Sequence, residues 1–370
     1  MRKLLLLISG NLLLLSALHA QLTTLPNGGN KKAIVGERIG LTDVTISYHR
    51  PGVKGREGKI WGELIHAGFA DLGFGSSKAA PWRAGANENT VIEFSTDVKI
   101  EGKELPAGKY GFFIAYDPNE STLIFSKNYS SWGSYYYDEK EDALRIKVKP
   151  VALDKSVEWL KYEFMNETEN SAVITLQWEK LSIPFKVEVD YVKQQLEVFR
   201  RELRSEKAFN PGWQSFVQAA QFTLNRNVSL EEGLKWADQA ISEPFIGQPN
   251  FVTLSTKASI LNKLGRNKEA DSLMKAALPM GSMQQLHNYA RQLLQQKKAK
   301  EAMEVFQVNY KKNPNEFTTL VGMTRGYSAT GDYKNALKFA QMALPLSPPG
   351  PNKANVETMI EKLKKGEDVN

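Results

Sequence analysis

A segment between residues 48 and 90 concentrates the side chains best suited to bind an anion or a sugar. It begins Tyr-His-Arg-Pro-Gly-Val-Lys-Gly-Arg and ends Pro-Trp-Arg-Ala-Gly-Ala-Asn-Glu-Asn-Thr. A guanidinium group holds a carboxylate or phosphate through two parallel hydrogen bonds, and neighbouring glycines let a ligand approach the backbone. We therefore predict a pocket for an anionic or carbohydrate ligand, with these candidate residues: Arg50, Arg56, Trp82, Arg83, Asn87, Glu88 and Asp142.

The same arginines also allow a structural interpretation. A partly buried arginine needs a partner of opposite charge, and carboxylates are plentiful nearby in the sequence. In this interpretation the three arginines fix an irregular loop by pairing with one of four acidic residues: Glu63, Glu88, Glu93 and Asp142. The two interpretations differ in whether the guanidinium groups remain open to a ligand.

Aromatic side chains leave a similar choice between a binding platform and a core. Rings on a surface stack on sugars, whereas rings between two sheets fill a sandwich. The residues concerned are Trp61, Trp82, Trp132, Tyr135, Tyr136 and Tyr137. Because side chains alternate along a strand, the three consecutive tyrosines cannot all point inward, and we expect at least one of them to be exposed.

Catalytic signatures are weak in this sequence. Paired carboxylates of the kind needed for glycoside hydrolysis occur in one short stretch, which is more typical of a solvated loop: Asp138, Glu139, Glu141 and Asp142. The run Gly73 to Lys78 lacks the Gly-x-x-x-x-Gly-Lys spacing of a phosphate loop, and no Gly-x-Ser-x-Gly element occurs. Zero cysteines and the absence of a His-Glu-x-x-His element exclude thiol catalysis and the usual zinc sites. We expect no cofactor, and an oxygen-ligand calcium site is the metal site left open.

The first 20 residues have the pattern of a secretory signal. Arg2 and Lys3 precede an apolar run, and the segment ends Ser-Ala-Leu-His-Ala before Gln21. We predict cleavage after Ala20 and an exported protein, periplasmic or secreted. No later run is long and apolar enough to predict a membrane span. The formal net charge of +7 comes from the C-terminal half, and the export signal argues against nucleic acid as a partner.

Alternating apolar residues predict a β-rich domain over residues 21–190. Lys109 to Tyr116, Ala143 to Lys149 and Ile183 to Tyr191 each place apolar side chains on one face, with turn residues between the segments. Period two with one polar face indicates antiparallel sheets. The predicted fold is an antiparallel β-sandwich, jelly-roll-like, and a parallel α/β fold is disfavoured because no helical segment separates these strands.

Several ordered motifs in this region carry a resemblance to a known family. They include Arg50-Pro-x-x-Lys-Gly-Arg56, Trp82-Arg-Ala-Gly-Ala-Asn-Glu-Asn-Thr90, Leu105-Pro-Ala-Gly-Lys-Tyr110 and Asp142-Ala-Leu-Arg-x-Lys-Val. Over roughly residues 21–191 the chain resembles the bacterial family called domain of unknown function 2911. The resemblance implies an exported, largely β domain and supplies no catalytic residues.

The rest of the chain follows a helical pattern with an internal repeat. Residues 191–209 are predicted to form a linker helix, and residues 210–370 resemble tetratricopeptide repeats. The marker alanines of three successive units are Ala270, Ala302 and Ala336, close to the typical spacing of about 34 residues. A looser unit precedes them, and a short capping helix is predicted from Val356 to Lys365.

Together these patterns favour a non-enzymatic exported binding or scaffold protein. Stacked helical repeats present a concave surface, which predicts a protein or peptide partner for the second domain. The β-domain would supply a ligand-binding module. The alternative is a carbohydrate-binding or glycan-hydrolysing enzyme that uses the arginine- and tryptophan-rich segment for recognition and Glu88 or Asp142 for proton transfer.

Overall fold

Ten β-strands precede the helices in the computed structural model, which describes residues 29–370. The predicted signal peptide, residues 1–20, lies outside the described residues. The strands are β1 Lys31–Ile39, β2 Thr42–Arg50, β3 Thr90–Phe94, β4 Val98–Ile100, β5 Lys103–Leu105, β6 Gly108–Ala115, β7 Ser121–Ser126, β8 Asp142–Val148, β9 Val151–Met165 and β10 Ser171–Glu188.

The strands form two antiparallel sheets. One has six strands in the order β1-β2-β3-β6-β7-β8, and the other has four in the order β5-β4-β10-β9. Burial alternates as the sequence predicts: along β2 the side chains of Val44, Ile46 and Tyr48 are buried, whereas Thr45 and Ser47 between them are partly exposed. The prediction of antiparallel sheets is therefore confirmed, and the jelly-roll variant stays a prediction.

One apolar core lies between the two sheets. The ring of Phe112 on β6 lies 5.1 Å from that of Phe125 on β7 and 5.5 Å from that of Phe185 on β10. Because Phe185 belongs to the four-stranded sheet and the other two belong to the six-stranded sheet, this contact joins the layers. Full burial of a phenylalanine side chain contributes about 1.5–3 kcal/mol to stability.

The irregular segment between β2 and β3 completes the six-stranded sheet. The pairing of β3 with β6 extends as far as Phe112. Beyond that point Trp82 and Ile114 exchange two backbone hydrogen bonds of 2.9 and 2.8 Å, and the Gly68 amide donates to the Tyr116 carbonyl. The segment thus satisfies the backbone groups that β3 leaves unpaired on β6, which fixes its path across the domain.

A β-bulge in β10 provides a second anchor for this segment. The register between β9 and β10 shifts around Glu179, whose φ angle is +52°. The Glu179 carboxylate is buried and accepts a 2.6 Å hydrogen bond from the backbone amide of Gly58. An extra residue in a strand redirects a side chain in this way.

Helices occupy the chain after β10. The chain divides into two units between Gln195 and Leu196, inside the first helix. The helices are α1 Tyr191–Glu202, α2 Trp213–Arg226, α3 Leu230–Ser242, α4 Phe251–Lys263, α5 Asn267–Ala277, α6 Met283–Gln295, α7 Ala299–Lys312, α8 Phe317–Ala329, α9 Tyr333–Ala343 and α10 Pro351–Lys364. Within residues 29–370 none of them is long and apolar enough to cross a membrane.

Small residues allow the helices of the second unit to pack closely, including between neighbouring pairs. The predicted marker residues Ala270, Ala302 and Ala336 are fully buried on α5, α7 and α9. At Gly322 on α8, a Cβ atom would lie 2.6 Å from the ring of Phe306 on α7, so a larger residue would separate these two helices. The predicted order, a β-sandwich followed by tetratricopeptide-like helix pairs, is confirmed by the helix boundaries.

Candidate functional site

The three predicted arginines are held by backbone carbonyls of the β-domain. Arg50 donates to the Leu160 carbonyl at 2.8 Å, and Arg56 donates to the carbonyls of Val53 and Gly52 at 3.0 and 2.7 Å. Arg83 donates to the Asn87 carbonyl at 2.7 Å, with its guanidinium 4.9 Å from the centre of the Tyr135 ring. The structural interpretation predicted carboxylate partners, whereas all three guanidinium groups bind main-chain carbonyls.

The other predicted residues of the segment also have partners within the domain. Trp82 is buried and donates from its indole nitrogen to the Gly85 carbonyl at 3.1 Å. The Glu88 carboxylate lies 2.8 Å from the Nδ1 atom of His49. Asn87 has a φ angle of +62° and accepts a long hydrogen bond from Asn30. These contacts position the segment, and its role in ligand binding stays a prediction.

Asp142 belongs to a different network, which contains an arginine that the sequence analysis did not select. Its Oδ2 atom accepts hydrogen bonds from Arg145 Nε at 2.5 Å and from the Tyr137 hydroxyl at 2.8 Å. Arg145 also donates to the Tyr137 oxygen. The Asp142 side chain is 8% exposed, and its Oδ1 atom has no hydrogen-bond partner among the described residues.

Burial dominates the electrostatics of this network. It raises the pKa of the Asp142 carboxyl, while the hydrogen bonds from Tyr137 and Arg145 act in the opposite direction. Burial and the neighbouring Asp142 raise the pKa of the Tyr137 hydroxyl, so the phenol is the hydrogen-bond donor at neutral pH. The guanidinium of Arg145 is therefore held in one orientation by two buried oxygens.

Two cavities, each of about 500 Å3, adjoin this network. Both are lined by Phe69 and Arg145. The first is further lined by Ser76, Ser77, Lys78, Tyr137, Asp138 and Glu139. The second is further lined by Glu101, Lys103, Thr122, Ile146 and Lys147. The adjoining cavities thus combine hydroxyl groups, carboxylates and cations around one exposed aromatic ring.

A third cavity, of about 460 Å3, lies on the helical unit. The first helices of three successive pairs, α2, α4 and α6, supply its lining. Apart from Leu224, the lining is made of neutral polar groups and two aromatic rings, Phe251 and Tyr289, whose centroids are 6.3 Å apart. The neutral polar residues are Gln221, Asn225, Ser255, Thr256, Ser259, Gln285, Asn288 and Gln292. We call this surface the amide face.

Residues 368–370 lie against α8, the first helix of the next pair. Arg325 donates to the Val369 carbonyl at 3.3 Å, and the Val369 amide donates to the Ser328 hydroxyl at 3.0 Å. The side chain of Asn370 donates to the Arg325 carbonyl at 3.0 Å. The chain therefore contains an example of a non-helical segment held through its main chain by a first helix of the repeats.

Comparisons with known proteins apply to the two units separately. Residues 30–187 match the model of a family described as a protein of unknown function, DUF2911. This match covers the β-domain, which we call the DUF2911 domain. No significant match was found among curated proteins.

Solved structures match the chain at low identity and low TM-score. YrrB, described as a TPR protein with an unusual peptide-binding site, is 14% identical, with a TM-score of 0.30 over 45% of this chain and 84% of that one. MamA from residue 41 onward, from Desulfovibrio magneticus RS-1, is 16% identical, with a TM-score of 0.27 over 41% of this chain and 93% of that one.

Asp142 was predicted from the sequence as a ligand-binding residue, whereas its partner Arg145 was not, and Tyr137 was considered only as an aromatic residue. Arg145 lies three residues after Asp142 on β8, and Tyr137 lies five residues before it. Arg145 had been assigned only to the polar face of a strand, and Lys78 to a run that lacks phosphate-loop spacing. Of the three consecutive tyrosines Tyr136 is exposed and Tyr137 is buried, so at least one is exposed as expected. They lie in a turn between β7 and β8, so strand alternation is not the reason. No group of three or more metal-binding side chains was found in the described part of the chain.

A buried histidine lies on α6 beside two arginines. The side chain of His287 is buried, and its Nδ1 atom has no hydrogen-bond partner within residues 29–370. Burial lowers the pKa of His287 to about 4, with smaller contributions from Arg291 and Arg325. A hydrogen bond with the backbone of Thr318 acts in the opposite direction. The imidazole is therefore neutral at pH 7.

Acidification is expected to destabilise the helical unit through His287. The unfolded chain binds this proton near pH 6.5, whereas the folded chain binds it near pH 4. Stability is fully present above the unfolded pKa and is lost as the pH falls through this window, by up to about 3 kcal/mol. Denaturant unfolding, followed by the helical circular dichroism signal at several pH values, measures this loss.

The variant His287→Gln should flatten the pH dependence of helical unfolding over the same window. His66→Gln in the DUF2911 domain is the matched control and should leave it unchanged. An equally steep pH dependence in His287→Gln would assign the effect to other groups.

Proposed function

We propose that this protein is an exported bacterial binding or scaffold protein whose helical repeats bind an extended peptide segment of a partner. The observation that carries the proposal is the amide face. Its neutral amide and hydroxyl groups come from three successive first helices, so they follow one line across the repeats. Stacked helix pairs expose such a line as a consequence of their geometry.

The chemistry of the amide face suits a polypeptide main chain. Amide side chains donate and accept hydrogen bonds at once, as peptide groups do. Among residues 29–370, none of those that line this cavity is charged, which favours a neutral backbone over an ionic ligand. Phe251 and Tyr289 offer an apolar contact for one side chain of the bound segment. The contacts of residues 368–370 with Arg325 and Ser328 support this mode of binding on a neighbouring first helix.

Peptide selection on the whole chain tests the proposal. A phage-displayed library of unstructured peptides would be selected against the protein, and the affinity of the best peptide would be measured by calorimetry. The variant Asn225→Ala/Gln292→Ala is expected to weaken this affinity about tenfold, because each lost hydrogen bond contributes about 0.5–1.5 kcal/mol. Gln307→Ala/Gln341→Ala, with two exposed amides on the second helices α7 and α9, is the matched control and should bind normally. Selection of no peptide, or equal affinity in both variants, would contradict the proposal.

For the DUF2911 domain we propose a ligand-binding role at the two cavities that share Phe69 and Arg145. The buried carboxylate of Asp142 supports this role because it orients Arg145 at considerable desolvation cost. The two carboxylates considered for proton transfer, Glu88 and Asp142, belong to different networks. Binding is therefore the function that the cavities support better than hydrolysis.

Export is proposed from residues 1–20. The mature protein purified from cells is expected to begin at Gln21, which mass spectrometry of the intact chain would establish. A chain that retains Met1 to Ala20 in the cytoplasm would contradict this part of the proposal.

A further inference from the structure

We propose that the paired cavities of the DUF2911 domain bind an acidic oligosaccharide, with Phe69 between two sugar units and Arg145 paired with a carboxylate of the ligand. This inference rests on the proposed ligand-binding role of the domain and names the chemical class of the ligand. We call the two cavities, with Phe69 and Arg145 at their boundary, the Phe69 cleft.

The guanidinium group of Arg145 is held in one orientation by its neighbours. Its Nε atom is held by Asp142, and its Nη2 atom by the Tyr137 hydroxyl and, at 3.5 Å, by the Glu139 carboxylate. Its Nη1 atom makes no hydrogen bond within the described part of the chain. The arginine side chain is 37% exposed. A guanidinium that is already oriented loses little conformational freedom when it binds a carboxylate, which favours its use in recognition.

The ring of Phe69 is exposed beside Arg145. It is 42% exposed, and the Arg145 guanidinium lies 5.6 Å from its centre. Exposed aromatic rings provide flat apolar faces on which the C–H groups of a sugar can stack. Because Phe69 lines both cavities, one ring can contact two consecutive sugar units.

Charged side chains line the second cavity. Its lining contains Lys103, Arg145 and Lys147, against the single carboxylate of Glu101. Lys147 is in turn paired with Glu120 at 2.8 Å, which holds the ammonium group in place without burying it. Arg145 is likewise paired, with Asp142, so Lys103 is the cation of this lining that has no carboxylate partner in the described part of the chain. Its charge favours an anionic ligand, and the attraction is expected to weaken as salt is added.

The lining of the first cavity disfavours a simple anion as the ligand. The first cavity adds hydroxyl groups on Ser76 and Ser77 and carboxylates on Asp138 and Glu139. Carboxylates repel phosphate or sulfate, yet they accept hydrogen bonds from sugar hydroxyls. An oligosaccharide with carboxylate groups is the ligand class that uses the cations, the acceptors and the ring together.

The test measures calorimetric binding to the full chain at low salt with four probes. Hexagalacturonate is the acidic saccharide, cellohexaose the neutral saccharide, inorganic phosphate the simple anion and hexaglutamate the acidic peptide. We expect saturable binding of hexagalacturonate, at least about tenfold tighter than any other probe and weaker at high salt. No binding of hexagalacturonate, or equal binding of phosphate or hexaglutamate, would overturn the inference.

Variants locate the binding in the Phe69 cleft. Phe69→Ala and Lys103→Gln/Lys147→Gln should each weaken hexagalacturonate binding about tenfold, because they remove the stacking ring and the cations without touching the buried Asp142. Phe209→Ala and Lys180→Gln change exposed residues of the same types outside the cleft and should bind as the unchanged chain does. Unchanged binding in the cleft variants would overturn the inference. Cellohexaose binding that Phe69→Ala abolishes would overturn the acidic class and leave the ligand-binding role of the domain standing.

Discussion

Replacement of Trp178 by alanine is expected to lower the free energy of unfolding of the DUF2911 domain by about 3–5 kcal/mol. Trp178 lies on β10 and is 1% exposed. Its ring packs against Trp61 and Trp82, with centroids 6.2 Å away in both cases. Alanine would leave a cavity in the core that these rigid rings cannot fill, and small domains have only about 5–15 kcal/mol of stability in total.

Denaturant unfolding of the full chain, monitored by the β-sheet circular dichroism signal, measures the effect. Trp132→Ala is the matched control, because Trp132 is 56% exposed and its removal should change the stability by less than about 0.5 kcal/mol. Trp178→Phe should cost much less than Trp178→Ala, since it keeps a ring and removes a buried Nε1–H group that has no partner in the described residues. Equal losses for Trp178→Ala and Trp132→Ala would contradict the assignment of Trp178 to the core.

The second large effect is expected from Arg145→Gln, which leaves the Asp142 carboxylate without its cation. Removal of one partner from a fully buried ion pair costs about 3–5 kcal/mol. Because the Arg145 side chain is 37% exposed and partly screened by water, we expect about 2–3 kcal/mol at pH 7. Urea unfolding of the two proteins at pH 7 measures the difference.

The cost of Arg145→Gln should shrink as the pH falls. Burial already raises the pKa of the Asp142 carboxyl in the folded protein, and loss of the guanidinium raises it further. A carboxyl with a raised folded pKa favours the folded state when it is protonated, so acidification through that pKa removes the penalty.

The double variant Asp142→Asn/Arg145→Gln serves as the control for this prediction. It carries no buried charge at this position and should be more stable than Arg145→Gln alone at pH 7. The prediction would be contradicted if the stability cost of Arg145→Gln stayed constant with pH, or if the double variant were no more stable than Arg145→Gln alone. Either result would show that the Asp142 carboxylate does not need Arg145 as its cation.

The sequence predicts the burial of Trp178 but not the contacts of Arg145. The alternation of Ala172, Ile174, Leu176 and Trp178 places all four side chains on one face of a strand, which predicts that Trp178 is buried with the others. Arg145 alternates in the same way with Leu144 and Ile146, and that pattern predicts an exposed residue and nothing more. Its partnership with Tyr137 requires a turn of the chain between them that no periodicity describes.

What the sequence by itself determined is the local and repetitive part of the protein. Alternating residues define the strands, and the buried alanines Ala270, Ala302 and Ala336 mark the helix pairs, because both patterns depend on neighbours within one element. The ordered motifs between residues 50 and 148 carry the resemblance to the family whose model matches residues 30–187.

The tertiary structure alone decided which groups meet across elements. Arg50 binds a carbonyl on β9, 110 residues away, where sequence reasoning could offer only a choice of carboxylates. The Phe69 cleft joins a loop residue to β8, and the amide face joins three helices. Such contacts depend on how the chain crosses itself, and a hydrogen bond to a main-chain carbonyl leaves no trace in residue type, because every residue carries that carbonyl.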